Sequence, residues 1–225
     1  MWIWIIIGGI TLLSVVVQSS LNSKFAKYSK VPLAAPMAGR DIAMAMLRHN
    51  GVDDVNVTSV AGQLTDHFNP ANKTVNLSEP VYATNSIAAA AVAAHECGHA
   101  VQHKTGYSML VLRSKMVPLV SFASNSVSWL LMIGVALITF TPIPLYIAIA
   151  LFAATVAFSF VTLPVEIDAS RRAINWLEGS GYVSAQQLPM AKEALRAAAY
   201  TYVVAAIGSL ATLIYYLVMA KGARR

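Results

Sequence analysis

The sequence predicts a mainly α-helical integral membrane protein in which four transmembrane helices accompany a small α+β domain. Hydrophobic residues make up 57% of the 225-residue chain and charged residues only 12%, whereas soluble globular chains are about 45–50% apolar and about 25% charged. The net charge of +6 suits contact with anionic lipid headgroups. No basic run is interleaved with aromatic residues, so we expect no nucleic-acid partner. The composition excludes a disordered or fibrous chain.

Four segments are long and apolar enough to cross a membrane, at about 20 residues per crossing. The first lacks a basic start and a small-residue cleavage site, so we interpret it as a retained anchor rather than a cleaved signal peptide. Residues 116–165 hold no charge and no histidine. They fit two helices divided by Pro142 and Pro144, which cannot continue a helix. The expected spans are about 2–17, 117–140, 143–163 and 197–220.

Two polar segments, about 18–115 and 164–196, remain between the spans, and we treat residues 1–225 as one membrane domain. An even number of crossings separates the two segments, so both should face the same side and can build one site. The basic residues that flank this side are Lys24, Lys27, Lys30, Arg113, Lys115, Arg171, Arg172 and Arg196, against Lys221, Arg224 and Arg225 on the other. This excess predicts a multi-pass protein of the inner (plasma) membrane with its site in the cytoplasm.

The longer polar segment predicts a helix, two strands and a second helix. Apolar residues at three- and four-residue spacing indicate the first helix over residues 37–50. Alternation of apolar and polar residues indicates short strands at 55–57 and 74–77. Residues 62–70 are rich in turn-forming types and are expected to form a loop between these strands.

The second predicted helix, residues 87–104, carries His-Glu-Cys-Gly-His at positions 95–99, which is an HExxH motif. On a helix, His95 and His99 lie about 6 Å apart along the axis and about 40° apart around it. Both imidazoles can therefore bind one Zn²⁺ while Glu96 lies beside them as general base on a zinc-bound water. The motif predicts a zincin-like domain that hydrolyses peptide bonds.

A zinc site of this kind needs a third ligand from elsewhere in the chain. His103 lies about 12 Å from His95 along a continuous helix, too far to share a metal through bonds of about 2 Å. Glu166 and Asp168 follow the third span, on the side that holds the motif. Carboxylates there cost desolvation energy unless a cation such as a metal compensates. We therefore expect the third ligand here, and we prefer Glu166 to Asp168. Alternatively, both carboxylates pair with the arginines that follow, at the start of a helix.

Other polar residues are candidates for supporting the site or contacting the substrate. A donor for the oxyanion is expected, and His67, Tyr107 and Arg171 are candidates for it. His67 could equally pack within its loop. Asp168 remains a candidate for supporting the zinc ligands.

Two further features near the motif have simple structural explanations. Cys97 points about 200° away from His95 around the helix, so we expect its thiol to be packed rather than bound to metal. Residues 74–77 precede the motif and could pair with an extended substrate by strand addition. An ordinary strand within the domain would explain the same pattern.

Several stretches of the chain resemble one known family. They are GQLTDHFNP, NLSEPVYATNSIAAAAVAAHECGHAVQH, LRSKMVPLVSF and TLPVEIDASRRA. Together they closely resemble the YugP-like membrane zinc metallopeptidases, over nearly the whole chain. The resemblance implies a neutral zinc peptidase of bacterial membranes, with His95 and His99 as ligands and Glu96 as catalytic residue. More distantly, the family resembles gluzincin-type proteases, in which a Glu beyond the next spans completes the site and an Asp four residues later supports it. Ser170 stands at that later position here.

We therefore expect a membrane-anchored zinc endopeptidase that cleaves proteins at the membrane surface. One alternative is an intramembrane protease, but the apolar residues 86–94 before the motif are too few to cross a bilayer. The other is a non-catalytic scaffold with a vestigial site, yet Glu96 has no use in a purely structural zinc site. The expected partners are a protein or peptide substrate and the lipid bilayer. A homo-oligomer or a membrane partner protein is left open.

Overall fold

The computed structural model describes residues 2–222, with side chains from residue 5 onward, so Arg224 and Arg225 of the charge comparison lie outside the described residues. Within this range the chain is mostly helical and has one small sheet. The elements are α1 (Trp2–Tyr28), α2 (Gly39–His49), β1 (Asn56–Val60), β2 (His67–Asn69), β3 (Thr74–Ser78), α3 (Glu79–Ala83), α4 (Ile87–Lys104), α5 (Ser108–Ala136), α6 (Ile143–Ser180) and α7 (Leu188–Gly222).

Among the described residues, four helices are long and apolar enough to cross a membrane, as the sequence predicts. They are Ile5–Tyr28 of α1, together with α5, α6 and α7. Each begins earlier or ends later than the apolar run that predicts it, and α1 continues to Tyr28 rather than ending near residue 17. By contrast, α5 ends at Ala136, four residues before the expected end of its span at 140. Residues 137–140 form a turn that precedes Pro142.

The chain divides into two compact units, and the first holds most of the apolar helical residues. Its described residues are 2–16, 111–163 and 201–222. Leu145, Ile149 and Ala220 form a buried cluster inside it. A Cβ on Gly134 would lie 2.6 Å from Leu145 Cα, so glycine permits the close approach of α5 and α6 there. Large apolar side chains such as Trp129 stay exposed. Lipid tails are as apolar as such side chains, so a bilayer would not penalise this exposure.

The second unit holds the sheet, the short helices and α4. Its described residues are 17–110 and 164–200. The alanine-rich first half of α4, Ile87–Ala94, is buried throughout, because its small side chains let neighbouring elements pack closely. The hydroxyl of Ser86 caps α4 by accepting a hydrogen bond from Ala89 N at 3.1 Å. Ile42 of α2 and Leu77 of β3 belong to the same core.

The sheet has the order β1–β3–β2, which corrects two expectations. β1 runs parallel to β3, and β2 runs antiparallel to it. The predicted loop at 62–70 therefore contains a strand, because His67–Asn69 finds backbone partners on Thr74–Asn76. These residues of β3 are paired on both sides, so strand addition by a substrate at 74–76 is excluded. The ordinary-strand explanation is correct there.

Two helices of the second unit, α2 and α4, begin and end close to the predicted positions, whereas the short helix α3 was not predicted. α2 covers 39–49 of the expected 37–50, and α4 covers 87–104. α6, however, continues through Pro164 to Ser180, so Glu166 and Asp168 do not stand at a helix start. Because proline has no N–H, it removes one hydrogen bond of the helix immediately before these carboxylates.

Candidate metal centre

The HExxH helix α4 brings its two histidines to one side of the helix. The ring centroids of His95 and His99 lie 4.8 Å apart in an edge-to-face arrangement. Their side chains are 15% and 10% exposed. This follows from the four-residue spacing, which places both rings on one face of consecutive turns.

Glu166 of α6 completes a group of three potential ligands with these histidines. Its Oε2 lies 3.2 Å from His95 Nε2 and 3.4 Å from His99 Nε2, and all three ligand atoms lie within 4.8 Å of one another. Two atoms each about 2.0–2.1 Å from a tetrahedral zinc ion would be about 3.4 Å apart. The two distances from Glu166 Oε2 and the nitrogen and oxygen donors therefore fit zinc.

A glycine inside the motif lets α6 approach α4 at this position. A Cβ built on Gly98 would lie 2.6 Å from the backbone oxygen of Ala169 and 3.1 Å from its Cα. Both residues are fully or almost fully buried. Ala169 is one turn beyond Glu166 on α6. The missing side chain at Gly98 therefore sets how closely the Glu166 carboxylate comes to the histidines.

The second histidine is held by a buried hydrogen-bond chain. His99 Nδ1 lies 3.0 Å from Gln102 Oε1, and Gln102 Nε2 donates to Val165 O at 2.8 Å and to Asp168 Oδ2 at 2.9 Å. Gln102 is completely buried. The sequence analysis missed this residue, although its position one turn beyond His99 on the same helical face was a usable signal.

The first histidine also has a partner on α6. Ser170 Oγ lies 3.1 Å from His95 Nδ1. Ser170 occupies the position, four residues after Glu166, where the resemblance leads one to expect an aspartate. A hydroxyl can accept the same hydrogen bond from an imidazole N–H, though without the charge of a carboxylate.

The electrostatic environment of the three potential ligands favours a cation. Burial lowers the pKa of His99, but the hydrogen bond to Glu166 and the negative charges of Glu96 and Glu166 outweigh it, so this pKa lies above its usual value. Glu96 is itself 8% exposed. Two buried carboxylates beside two imidazoles would bind Zn²⁺ or a proton, and a metal ion would displace the proton.

The remaining candidates from the sequence lie in other surroundings. Asp168 is not among the three potential ligands; it accepts hydrogen bonds from Gln102, Arg171 and Arg172. The ion-pair alternative therefore describes Asp168, and not Glu166. The side chain of Arg171 is 68% exposed. Tyr107 follows α4, and its ring lies 5.9 Å from the guanidinium of Arg172.

His67 lies in β2 and uses both ring nitrogens within the sheet region. Its Nδ1 lies 2.8 Å from Thr65 O, and its Nε2 lies 3.2 Å from Asn76 Nδ2. These contacts correspond to the loop-packing explanation. His103 packs its ring against Phe68, with 5.7 Å between centroids.

Cys97 lies between the histidines in sequence but on another face of α4. It is fully buried, and its thiol donates to Ala43 O of α2 at 3.4 Å. Burial raises the pKa of this thiol well above its usual value. The thiol is therefore packed, as expected, and poorly suited to act as a nucleophile or ligand.

Comparisons with known proteins agree with this donor set. Over residues 3–221 the chain matches the family described as "Putative neutral zinc metallopeptidase". It is 43% identical to the "Putative membrane protease YugP" of Bacillus subtilis (strain 168) over 202 residues, which cover 90% of this chain and 89% of that protein. No solved structure matches the chain significantly. The chain therefore belongs to this family of zinc metallopeptidases.

Proposed function

We propose that the protein is a membrane-anchored zinc endopeptidase in which His95, His99 and Glu166 hold the metal. The observation that carries the proposal is the position of Glu166 Oε2, 3.2 Å from His95 Nε2 and 3.4 Å from His99 Nε2, in a group whose three ligand atoms lie within 4.8 Å of one another. Zinc peptidases use three protein ligands and keep a further position open. Zn²⁺ is the cofactor that both this donor set and the family favour.

Glu96 is the proposed catalytic base. Zinc, when bound, lowers the pKa of water to about 7 and polarises the scissile carbonyl. The Glu96 carboxylate takes a proton from the attacking water and returns it to the leaving nitrogen. The peptide bond can then break with a neutral amine as the leaving group. Its low exposure, 8%, limits competition from bulk water for that proton.

We further propose a gluzincin-like arrangement at the membrane surface, facing the cytoplasm. The intramembrane alternative is disfavoured because α4 is not among the four described helices that are apolar and long enough to span. The carboxylate of Glu96 beside the three potential ligands favours an enzyme over a scaffold, because a purely structural zinc site has no use for a base. The protein substrate is expected to approach from the aqueous side of the bilayer.

Zinc content and peptide cleavage of the purified full-length protein test the proposal. The wild type is expected to bind one zinc per chain and to cleave casein. Glu96→Gln should retain zinc but lose activity by about 100- to 10,000-fold, because it removes the base and neither imidazole. His95→Ala and His99→Ala should lose zinc and activity together.

Glu178→Gln serves as the matched control. Glu178 is a surface glutamate whose side chain is 59% exposed, so the same change there should leave both zinc and activity unaltered. Substantial activity of Glu96→Gln would overturn the assigned base. Full zinc occupancy in either histidine variant would refute the assignment of that histidine as a zinc ligand. Zinc binding without cleavage by the wild type would favour the scaffold alternative.

A further inference from the structure

The hydrogen-bond chain behind His99 determines how its central amide is oriented. Asp168 faces Arg171 and Arg172. Guanidinium groups only donate hydrogen bonds, so both oxygens of the Asp168 carboxylate act as acceptors here. The carbonyl of Val165 also only accepts. The atom of Gln102 that lies 2.8 Å and 2.9 Å from these two acceptors must therefore be its NH₂ group.

This orientation in turn determines the hydrogen-bonding role of His99 Nδ1. With both donors of Gln102 used, its carbonyl Oε1 faces His99 Nδ1 at 3.0 Å. Oε1 can only accept, so Nδ1 must carry the proton. The lone pair of the neutral ring is then on Nε2, which is the atom 3.4 Å from Glu166 Oε2.

From this we infer that Gln102 is a positioning residue that fixes His99 in the tautomer able to bind zinc through Nε2, with Asp168 as its anchor. This inference rests on the proposed zinc site. A chain of hydrogen bonds thus leads from Arg171 and Arg172 through Asp168 and the Gln102 amide to His99. Gln102 itself does not touch the metal or the substrate.

Substitutions of Gln102 test the inference through zinc affinity of the purified full-length protein, measured by competition with a chromophoric chelator. Gln102→Leu removes the amide and should weaken zinc binding about 10- to 100-fold, the usual effect of losing a group that orients a ligand. Gln102→Glu should weaken it as well, because the new carboxylate would face the carboxylate of Asp168.

The decisive variant exchanges the two groups. In Q102E/D168N, the new asparagine amide can donate to the new glutamate, which again accepts from His99 Nδ1. Zinc affinity should therefore recover most of the loss seen in Gln102→Glu alone. A residue that merely fills space would give no such rescue. A double variant that binds zinc as weakly as Gln102→Glu would overturn the inference.

Val101→Ala is the matched control, since Val101 is the buried neighbour of Gln102 on α4. It should lower the Tm of the metal-free protein while leaving zinc affinity unchanged. If Gln102→Leu binds zinc as tightly as the wild type, or no more weakly than Val101→Ala, Gln102 has no positioning role although the zinc site stands. If the wild type itself binds no zinc, the proposed site fails, and this inference fails with it.

Discussion

Glu166 and Asp168 are only two residues apart on α6, yet their carboxylates have different neighbours. Glu166 faces the two imidazoles of α4, whereas Asp168 faces two guanidinium groups and the Gln102 amide. Two residues on a helix are separated by about 200° around the axis. However, both side chains are almost fully buried. Burial alone would therefore not distinguish the proposed metal ligand Glu166 from Asp168, which holds Gln102.

We predict that Glu166→Gln and Asp168→Asn differ in their effect on zinc. Glu166→Gln removes one of three proposed ligands, so zinc content should fall to background and activity should be lost. Asp168→Asn keeps an oxygen that can accept from Gln102, so zinc affinity should fall by at most about 10- to 100-fold. Zinc content by mass spectrometry and casein cleavage check both variants. Loss of metal from Asp168→Asn alone would mean that the two roles are exchanged.

At the scale of helices, the substitution Gly98→Ala has two opposing effects on stability, because Gly98 contacts Ala169 of α6. Alanine in a helix interior is favoured over glycine by about 1 kcal/mol. In Gly98→Ala the new Cβ would meet the Ala169 backbone oxygen at 2.6 Å, and backbone cannot rotate away. Overpacking of this kind typically costs about 1–3 kcal/mol. The clash should therefore outweigh the gain in helix propensity.

We accordingly predict that Gly98→Ala lowers the free energy of unfolding and weakens zinc binding more than tenfold, since α6 must move and Glu166 moves with it. Thermal unfolding and chelator competition measure the two effects. Gly179→Ala is the control, because Gly179 is exposed on α6 and its added Cβ would meet nothing within 4 Å. It should be neutral or stabilising. Unchanged zinc affinity in Gly98→Ala would show that helix spacing does not set the site.

Apolar runs and the spacing of apolar residues correctly predicted several helices, because those helices depend on local sequence. The apolar runs gave the four long helices, and the three- and four-residue spacing gave α2. β2 was missed because three turn-rich residues become a strand only through pairing with β3, and Asp66 supports this pairing by accepting from Ser78 N at 2.7 Å. The predicted first span ends where polar residues begin, whereas α1 continues to Tyr28, and its last turns contact Glu193 on α7 through Lys24 and Tyr28.

The residues of the candidate site also differ in how far they could be predicted from local sequence. His95, Glu96 and His99 are recognisable because one helical turn brings them together. Glu166 required an argument about which polar segments share a side of the membrane. Gln102 and Gly98 escaped prediction because their roles depend on contacts with residues more than 60 positions away in the chain.

For the whole molecule, the orientation prediction places residues 18–115 and 164–196 in the cytoplasm. A cysteine introduced at Ala185, an exposed residue before α7, should resist an impermeant thiol reagent in intact cells. A cysteine at Thr141, in the segment between α5 and α6, should react. The native Cys97 is buried, so the wild type provides a low background. Labelling at residue 185 but not at 141 would reverse the predicted topology.

The packing of Cys97 has a consequence for the environments in which the protein can work. It is the single cysteine of the chain, and burial together with a raised pKa keeps its thiolate scarce. The thiolate is the form that attacks disulfides and reacts with oxidants, so this cysteine is a poor site for either reaction. The proposed centre also uses only imidazole and carboxylate donors. The proposed ligands therefore include no thiol, so they need no reducing environment to stay able to bind a metal.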